Sequence, residues 1–165
     1  MHDILIKNAQ LRRKAGLWNI AIEKGVIRKI TKKPIRGKAG KVIDAGGNLV
    51  TEPFVNTHLH LCKVYTLEMM DSLALRAYHG ADMGGAMTAI ELAARVKANY
   101  NEKWILPNVR KALKLAALNG NLHIRAFADV DSKAKLIGLK ALLKARDEFK
   151  GIVDIQTVAF AQDGL

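Results

Sequence analysis

The tripeptide His58-Leu59-His60 is the strongest candidate for chemistry in this sequence. In an extended chain, residues i and i+2 point to the same side, so both imidazoles can converge on one metal ion at about 2.0–2.1 Å. Leu59 then points the other way, into packing. The pair alone leaves two interpretations open, because two histidines also share a strand face in proteins that bind no metal there.

A small β unit is predicted over residues 1–52, because its apolar runs are short and too often interrupted for long helices. The predicted strands are residues 4–6, 18–22 and 26–30, with 49–50 as the last. Lys24-Gly25 lies between two of these strands as a tight hairpin turn. Glycines break up the stretch that follows, at positions 37, 40, 46 and 47.

A second domain is predicted over residues 53–165, with Pro53 at its boundary. Its predicted elements are a strand through His58, a helix from Asn101 to Gly120, a strand over 122–130, a helix from Ser132 to about Phe149 and a strand over 152–160. Such alternation is typical of consecutive parallel units, and the apolar strands indicate burial on both faces. An open doubly wound sheet fits this pattern as well as a barrel does.

The chain carries 27 Lys and Arg against 15 Asp and Glu, a formal net charge of +12. The excess is concentrated in residues 12–41, where Glu23 is the only acidic residue. Such a charge suits nucleic acid, an anionic membrane surface or an acidic protein. We interpret it as a solvated lysine-rich surface, because no aromatic residues are interleaved with the basic ones to stack on bases.

Composition also bears on the compartment. No stretch approaches the roughly 18 consecutive apolar residues that a membrane-spanning helix needs, and the N-terminus lacks the pattern of a secretory signal. A single cysteine, Cys62, excludes an internal disulfide framework and fits a reducing compartment. We therefore expect a cytoplasmic protein that does not bind membranes.

Residues 49–61, LVTEPFVNTHLHL, closely resemble the entry to the barrel in the amidohydrolase superfamily. In that family a small N-terminal β unit leads through a Pro-Phe-Val or Pro-Gly-Phe segment into a first strand ending in His-x-His. Residues 119–125 and 158–164 look like the second- and third-strand segments of bacterial cytosine deaminases and their triazine-hydrolysing relatives. Residues 17–20 are similar to their N-terminal region.

This resemblance implies an α/β fold: the N-terminal part of a (β/α)8 TIM-like barrel, preceded by a small β-sandwich unit. Residues 53–165 would form the first three β/α units. It also implies a metal-dependent hydrolase that removes an amino group from a ring amidine, such as cytosine, a related pyrimidine or a triazine. His58 and His60 would hold one divalent ion, Fe²⁺ or Zn²⁺, whose bound water attacks the ring carbon. Gln162 matches a family glutamine that hydrogen-bonds the substrate.

Several positions depart from the family pattern. Cys62 stands where relatives commonly have aspartate, and we expect it to be a buried structural thiol. Phe127 replaces a common histidine and cannot form a hydrogen bond there, so the exact substrate stays open. His123 is expected in core packing or beside a ligand. Asp129 and Asp131 resemble family positions, and capping or salt bridging explains Asp131 equally well.

Family members take further ligands and the general acid and base from later strands, so these are expected beyond Leu165 and no catalytic residue is predicted here. A (β/α) barrel needs about 250 residues. We therefore expect the isolated chain to be inactive and to need the remainder of the barrel or a complementing chain, in an oligomer. The alternative is a non-catalytic basic module that binds nucleic acid or a protein partner, and we consider nucleic acid the weaker option.

Overall fold

A computed structural model describes residues 1–69, 72, 76 and 96–161 of the chain. Its backbone contacts divide the chain into two compact units, Met1–Glu52 and Pro53–Leu165. Among the described residues, no helix is both long enough and apolar enough to cross a membrane. Gln162, the candidate substrate ligand, lies outside the described residues.

The first unit is one mixed five-stranded sheet. Its strands are β1 (His2–Leu11), β2 (Leu17–Glu23), β3 (Val26–Thr31), β4 (Ala39–Asp44) and β5 (Leu49–Val50). The first three run antiparallel, and the predicted hairpin turn is present at Lys24 and Gly25, which have φ of 51° and 73°. Two successive residues with positive φ are typical of the type I′ turn, whose twist matches that of the flanking strands.

Strand β4 departs from the sequence prediction, since it forms in the stretch where glycines indicated interruption. It pairs in parallel with β1, with His2 opposite Ala39 and Ile6 opposite Ile43. A Cβ at Gly40 would lie only 3.1 Å from the carbonyl oxygen of Asp3, so glycine permits this close approach. The predicted last strand, β5, is present and also pairs in parallel with β1.

The second unit contains a parallel sheet of three strands in chain order, β6 (Phe54–Leu59), β7 (Asn121–Asp129) and β8 (Asp154–Phe160). Helix α1 (Glu102–Leu118) precedes β7, and helix α2 (Ile137–Glu148) precedes β8. Short 3₁₀ turns lie at Leu61–Lys63, Thr66–Met69 and Lys97–Asn99. The predicted alternation of parallel strands with helices is therefore confirmed.

The two helices pack on one face of this sheet. Ile124 and Ala126 of β7 share a fully buried cluster with Leu113 of α1 and Leu142 of α2. The side chains between them on β7 point to the other face, where Arg125 is exposed. From His123 to Ala128, β7 alternates between buried and more exposed positions, so among the described residues the burial on both faces that the apolar run indicated is not found there.

Helix α1 begins and ends where its sequence predicts. The Asn101 side chain accepts a hydrogen bond of 2.9 Å from the backbone N–H of Trp104, which satisfies one of the free donors at the helix start. Gly120, with φ of +72°, follows the last turn. Val109 and Leu113 lie on the buried face, at the predicted helical spacing.

Helix α2 begins at Ile137, five residues later than the Ser132 start that the sequence predicts. The Asp131 side chain instead accepts the backbone N–H groups of Lys133 and Ala134, at 3.0 and 2.8 Å, and forms a local turn. Lys135 then adopts φ of 51°, which interrupts helical geometry. The predicted helix is therefore present, but its predicted first residue is wrong.

Candidate metal centre at the strand ends

The rings of His58 and His60 lie side by side where β6 ends, with centroids 5.2 Å apart and planes inclined by 54°. The strand stops at Leu59, and His60 (φ −76°, ψ 75°) precedes the first 3₁₀ turn. Pairing with β7 is irregular between Asn56 and Leu59, and the His58 N–H donates to the Asn56 side chain at 3.1 Å. The strand end therefore brings both imidazoles together.

This spacing suits a shared cation. Two imidazoles that bind one ion at about 2.0–2.1 Å have ring centres roughly 5 Å apart. His58 is exposed and the His60 side chain is 25% exposed, so an ion can reach both rings. Across residues 1–69 and 96–161, no group of three His, Cys, Asp or Glu is placed to hold a metal. The pair can supply two ligands of an ion.

Two phenylalanines adjoin the histidines. Phe127 stacks on His58, with centroids 4.3 Å apart and planes inclined by 22°, and its centroid lies 5.7 Å from that of His60. Phe160 meets His60 and Phe127 edge to face, at 5.3 and 5.6 Å. Phe127 and Phe160 are at the carboxyl ends of β7 and β8, the edge at which barrel enzymes place their active sites.

A buried carboxylate lies behind His60. Asp129, the last residue of β7, is fully buried, and its Oδ1 lies 3.3 Å from His60 Nδ1. Its Oδ2 lies 2.9 Å from Lys63 Nζ and 2.8 Å from Lys97 Nζ. Lys97 Nζ also lies 2.9 Å from Asp131 Oδ2, and the Lys97 side chain is only 4% exposed. These groups form an ionic cluster of two lysines and two aspartates beside one imidazole.

The environment of His60 favours its neutral form. Burial is the main cause that lowers the pKa of His60, and the nearby Lys63 ammonium adds to it. The hydrogen bond to Asp129 acts in the opposite direction and is outweighed. A neutral imidazole keeps a free lone pair, which is the form that binds metal ions.

Cys62 is a buried structural thiol, as its sequence position suggests. It is 1% exposed, and its Sγ accepts the backbone N–H of Asp129 at 3.4 Å. Burial raises the pKa of this thiol to about 11, and burial likewise raises the pKa of Tyr100, which hydrogen-bonds to it. Cys62 therefore joins the turn after His60 to the end of β7.

The remaining candidates from the sequence lie elsewhere or have other partners. His123 is at the amino end of β7, with a 49% exposed side chain 3.5 Å from Asp154, so within the part of the chain that the structure describes neither core packing nor contact with the histidine pair is found. Asp131 both caps a local turn and pairs with Lys97, so the two explanations from the sequence hold together.

Sequence reasoning missed Lys63 and Lys97. The available signal was a lysine embedded in apolar neighbours, since Lys63 lies between Cys62 and Val64, and Lys97 follows Val96. Buried lysines are rare unless they are paired, so each such position indicates a carboxylate nearby. The sequence does not say which carboxylate, because the partner comes from a distant strand.

The basic first unit contains one contact that the sequence analysis overlooked. Lys14 Nζ and Lys32 Nζ lie 5.0 and 5.3 Å from the ring centroid of Trp18. Trp18 is therefore an aromatic residue among the basic ones, and the prediction that there is none is wrong at this position. An ammonium group at this distance from an aromatic ring is a cation–π contact, and Trp18 has two of them.

Known proteins are similar to this chain in sequence and in fold. The family model described as "Amidohydrolase family" matches residues 41–165. The chain is 37% identical over 164 residues to N-isopropylammelide isopropyl amidohydrolase of Pseudomonas sp. strain ADP, covering 98% of this chain and 39% of that protein. These matches confirm the family resemblance drawn from residues 49–61.

Solved structures give the same result for the fold. A 5-methylcytosine deaminase from Klebsiella pneumoniae, liganded with 5-fluorocytosine, aligns with a TM-score of 0.76 at 28% identity, over 97% of this chain and 37% of that one. An N-isopropylammelide isopropylaminohydrolase from Burkholderia multivorans aligns at 0.71 and 25% identity, over 100% and 39%. The chain spans less than two fifths of the length of each of these relatives.

Proposed function

Because this chain belongs to the amidohydrolase family, we propose that it is the N-terminal portion of a metal-dependent hydrolase that cleaves a carbon–nitrogen bond on a small heterocycle. The observation that carries this proposal is the pair of imidazoles, His58 and His60, with centroids 5.2 Å apart at the carboxyl end of β6. This is the edge of the sheet at which (β/α) barrels carry out their chemistry.

His58 and His60 would hold one divalent ion, Fe²⁺ or Zn²⁺. Such an ion would supply Lewis-acid chemistry, which makes water a nucleophile near neutral pH. The stack of Phe127 on His58 restricts the orientation of that ring, and the Asp129 contact restricts the orientation of His60. The chain thus contributes two ligands whose directions are set before the ion binds.

The substrate is a flat heterocycle: cytosine, a related pyrimidine or a triazine. Phe127 and Phe160 meet edge to face beside the histidine pair and give this end of the sheet an apolar aromatic surface. Such surfaces suit planar unsaturated rings, while a few polar groups fix their orientation. Gln162, two residues beyond Phe160 in the chain, is the proposed hydrogen-bonding partner of the ring edge.

The 165 residues by themselves are proposed to be inactive. A catalytic metal usually needs three or more protein ligands, and the described part of the chain brings together only the two histidines. Further ligands and the general acid and base come from the remainder of the barrel or from a complementing chain, in an oligomer. Strands β6 and β8 each pair with β7 alone among the described strands, which leaves an edge on each side for such a partner.

The test compares the protein as its own cells make it with the isolated 165 residues, each supplied with Fe²⁺ or Zn²⁺. Cytosine, 5-methylcytosine and N-isopropylammelide are offered, and release of ammonia or isopropylamine is followed. We expect turnover of at least one substrate by the natural protein, loss of turnover in His58→Ala, and none from the isolated residues. A natural protein that turns over none of these substrates would overturn the proposal, and turnover by the isolated residues would overturn the proposed inactivity.

A second candidate function is a non-catalytic basic module, which the contacts of the Lys14 and Lys32 ammonium groups with the Trp18 ring favour. An aromatic ring beside ammonium groups is a common element of surfaces that bind nucleic acid or acidic protein. Binding of this kind weakens steeply with salt through counterion release. A salt-dependent complex with single-stranded nucleic acid, lost in Trp18→Ala and unaffected by His58→Ala, would support this alternative.

A further inference from the structure

The carboxylate of Asp129 divides its two oxygens between different partners. Oδ2 lies 2.9 Å from Lys63 Nζ and 2.8 Å from Lys97 Nζ, whereas Oδ1 lies 3.3 Å from His60 Nδ1. The side chain is fully buried at the end of β7. Because two ammonium groups hold one oxygen, the other is kept facing the imidazole.

We propose that Asp129 is a positioning residue that accepts the Nδ1–H of His60 and so leaves His60 Nε2 unprotonated and directed to the ion. The direction of Nε2 to an ion rests on the proposed function, since the ion is the one held by His58 and His60. A neutral imidazole carries a proton on one nitrogen only, and a carboxylate at the other ring position decides which. The geometry assigns Nδ1 as the donor.

The ionic cluster gives Asp129 the rigidity that this role needs. Lys97 Nζ bridges Asp129 and Asp131, at 2.8 and 2.9 Å, and lies in a 4% exposed side chain. Asp131 is fixed in turn, because its Oδ1 accepts the backbone N–H of Ala134 at 2.8 Å. The Asp129 backbone N–H donates to Cys62 Sγ at 3.4 Å, which joins it to the turn that follows His60. Both the main chain and the side chain of Asp129 are thus held against the segment that carries the ligand.

The cluster also provides a matched control. Asp131 and Asp129 pair with the same buried lysine, and among the described residues Asp131 forms no hydrogen bond or ion pair with His60. Asp129→Asn and Asp131→Asn each remove one negative charge next to Lys97 without changing side-chain volume. Only the first alters the group that accepts the His60 proton, so a general loss of stability is separated from a loss of positioning.

The first measurement uses the natural wild-type protein without metal. Two-bond ¹H–¹⁵N spectra of histidine-labelled protein, assigned with His60→Gln, report which ring nitrogen carries the proton. We expect His60 to be protonated at Nδ1. Protonation at Nε2 would overturn the inference, and this result does not require any Asp129 variant to fold.

The second measurement titrates Co²⁺ into the natural protein as wild type, Asp129→Asn and Asp131→Asn, followed by visible absorption and by thermal unfolding. Removing a carboxylate that orients a ligating histidine typically weakens metal binding by about 10–100-fold. We expect weaker Co²⁺ binding, together with loss of the spectral signature of a proton on His60 Nδ1, in Asp129→Asn alone. Both variants should lower the unfolding temperature. Equal affinity in Asp129→Asn and wild type, or equal loss in Asp131→Asn, would overturn the inference. Absence of any Co²⁺ binding by wild type would overturn the proposed function, and the protonation of His60 would still decide the role of Asp129.

Discussion

Packing between α2 and the turn after His60 predicts the effect of one added methyl group. Gly138 lies in the first turn of α2, and a Cβ added there would meet Cys62 Cβ at 3.0 Å. Nonbonded carbons prefer about 3.5–4.0 Å, so Gly138→Ala overpacks this contact. Cys62 is 1% exposed, so its Cβ has little room to move away.

The expected magnitude combines two opposing effects. Overpacking a buried contact costs about 1–3 kcal/mol, for which we take about 2 kcal/mol. Replacing glycine by alanine within a helix contributes about 1 kcal/mol of stabilisation, and the backbone at Gly138 does not require a positive φ. The free energy of unfolding should therefore fall by about 1 kcal/mol, which lowers Tm by roughly 4 °C in a domain of this size.

Guanidinium unfolding of a double-mutant cycle measures this contact directly. In Cys62→Gly the opposing Cβ is gone, so adding Gly138→Ala should stabilise the protein by about 1 kcal/mol, a coupling energy of about 2 kcal/mol. Cys62→Ala keeps the Cβ and is the matched control, in which Gly138→Ala should remain destabilising. If Gly138→Ala stabilises the protein in all three backgrounds, the close approach of α2 to Cys62 is refuted.

Three further predictions concern single side chains. Burial raises the pKa of the Cys62 thiol to about 11, so the folded protein should resist a thiol reagent at mildly alkaline pH and react at once in denaturant. Rapid labelling of the folded protein would contradict this burial. Although burial opposes it, the N–H of Ala134 and the Lys97 ammonium hold the pKa of Asp131 below 3.8. The stability that Asp131 contributes is therefore present above that pH and is lost as the pH falls through the lower pKa of the folded state. Asp131→Asn should thus make the unfolding free energy fall less steeply at acid pH, and an unchanged pH dependence would count against the pairing of Asp131 with Lys97. Asn101→Ala should lower the unfolding free energy by about 1 kcal/mol while Asn101→Ser retains most of it, and equal losses in both variants would argue against the cap.

Local signals in the sequence predicted much of the fold. The turn at Lys24-Gly25 and the cap at Asn101 depend on neighbouring residues, and both are present. Strand β4 was harder to predict because its parallel partner, β1, lies at the other end of the unit. The start of α2 differs because a side chain, Asp131, captures the backbone N–H groups that a helix from Ser132 would have used.

In the candidate site, too, features that depend on neighbouring residues were predictable and pairings between distant residues were not. The spacing of His58 and His60 is local, and it is sufficient to predict that their rings lie on one side. The pairing of Asp129 with His60 joins residues 69 apart in the chain, and the pairing of Lys97 with Asp131 joins residues 34 apart. Such partners depend on how strands and turns pack, so the sequence pointed to the ligands and not to the groups that orient them.

The central claim is that His58 and His60 bind one divalent ion together. Its most direct test is the metal content of the natural protein after saturation with Zn²⁺ and removal of excess, compared with His58→Ala, His60→Ala and the control His123→Ala, which alters an exposed histidine at the other end of β7. The account predicts one tightly bound ion per chain in wild type and in His123→Ala, and its loss in each of the other two variants. Retention of that ion in His58→Ala and His60→Ala, or its absence from wild type, would contradict the account.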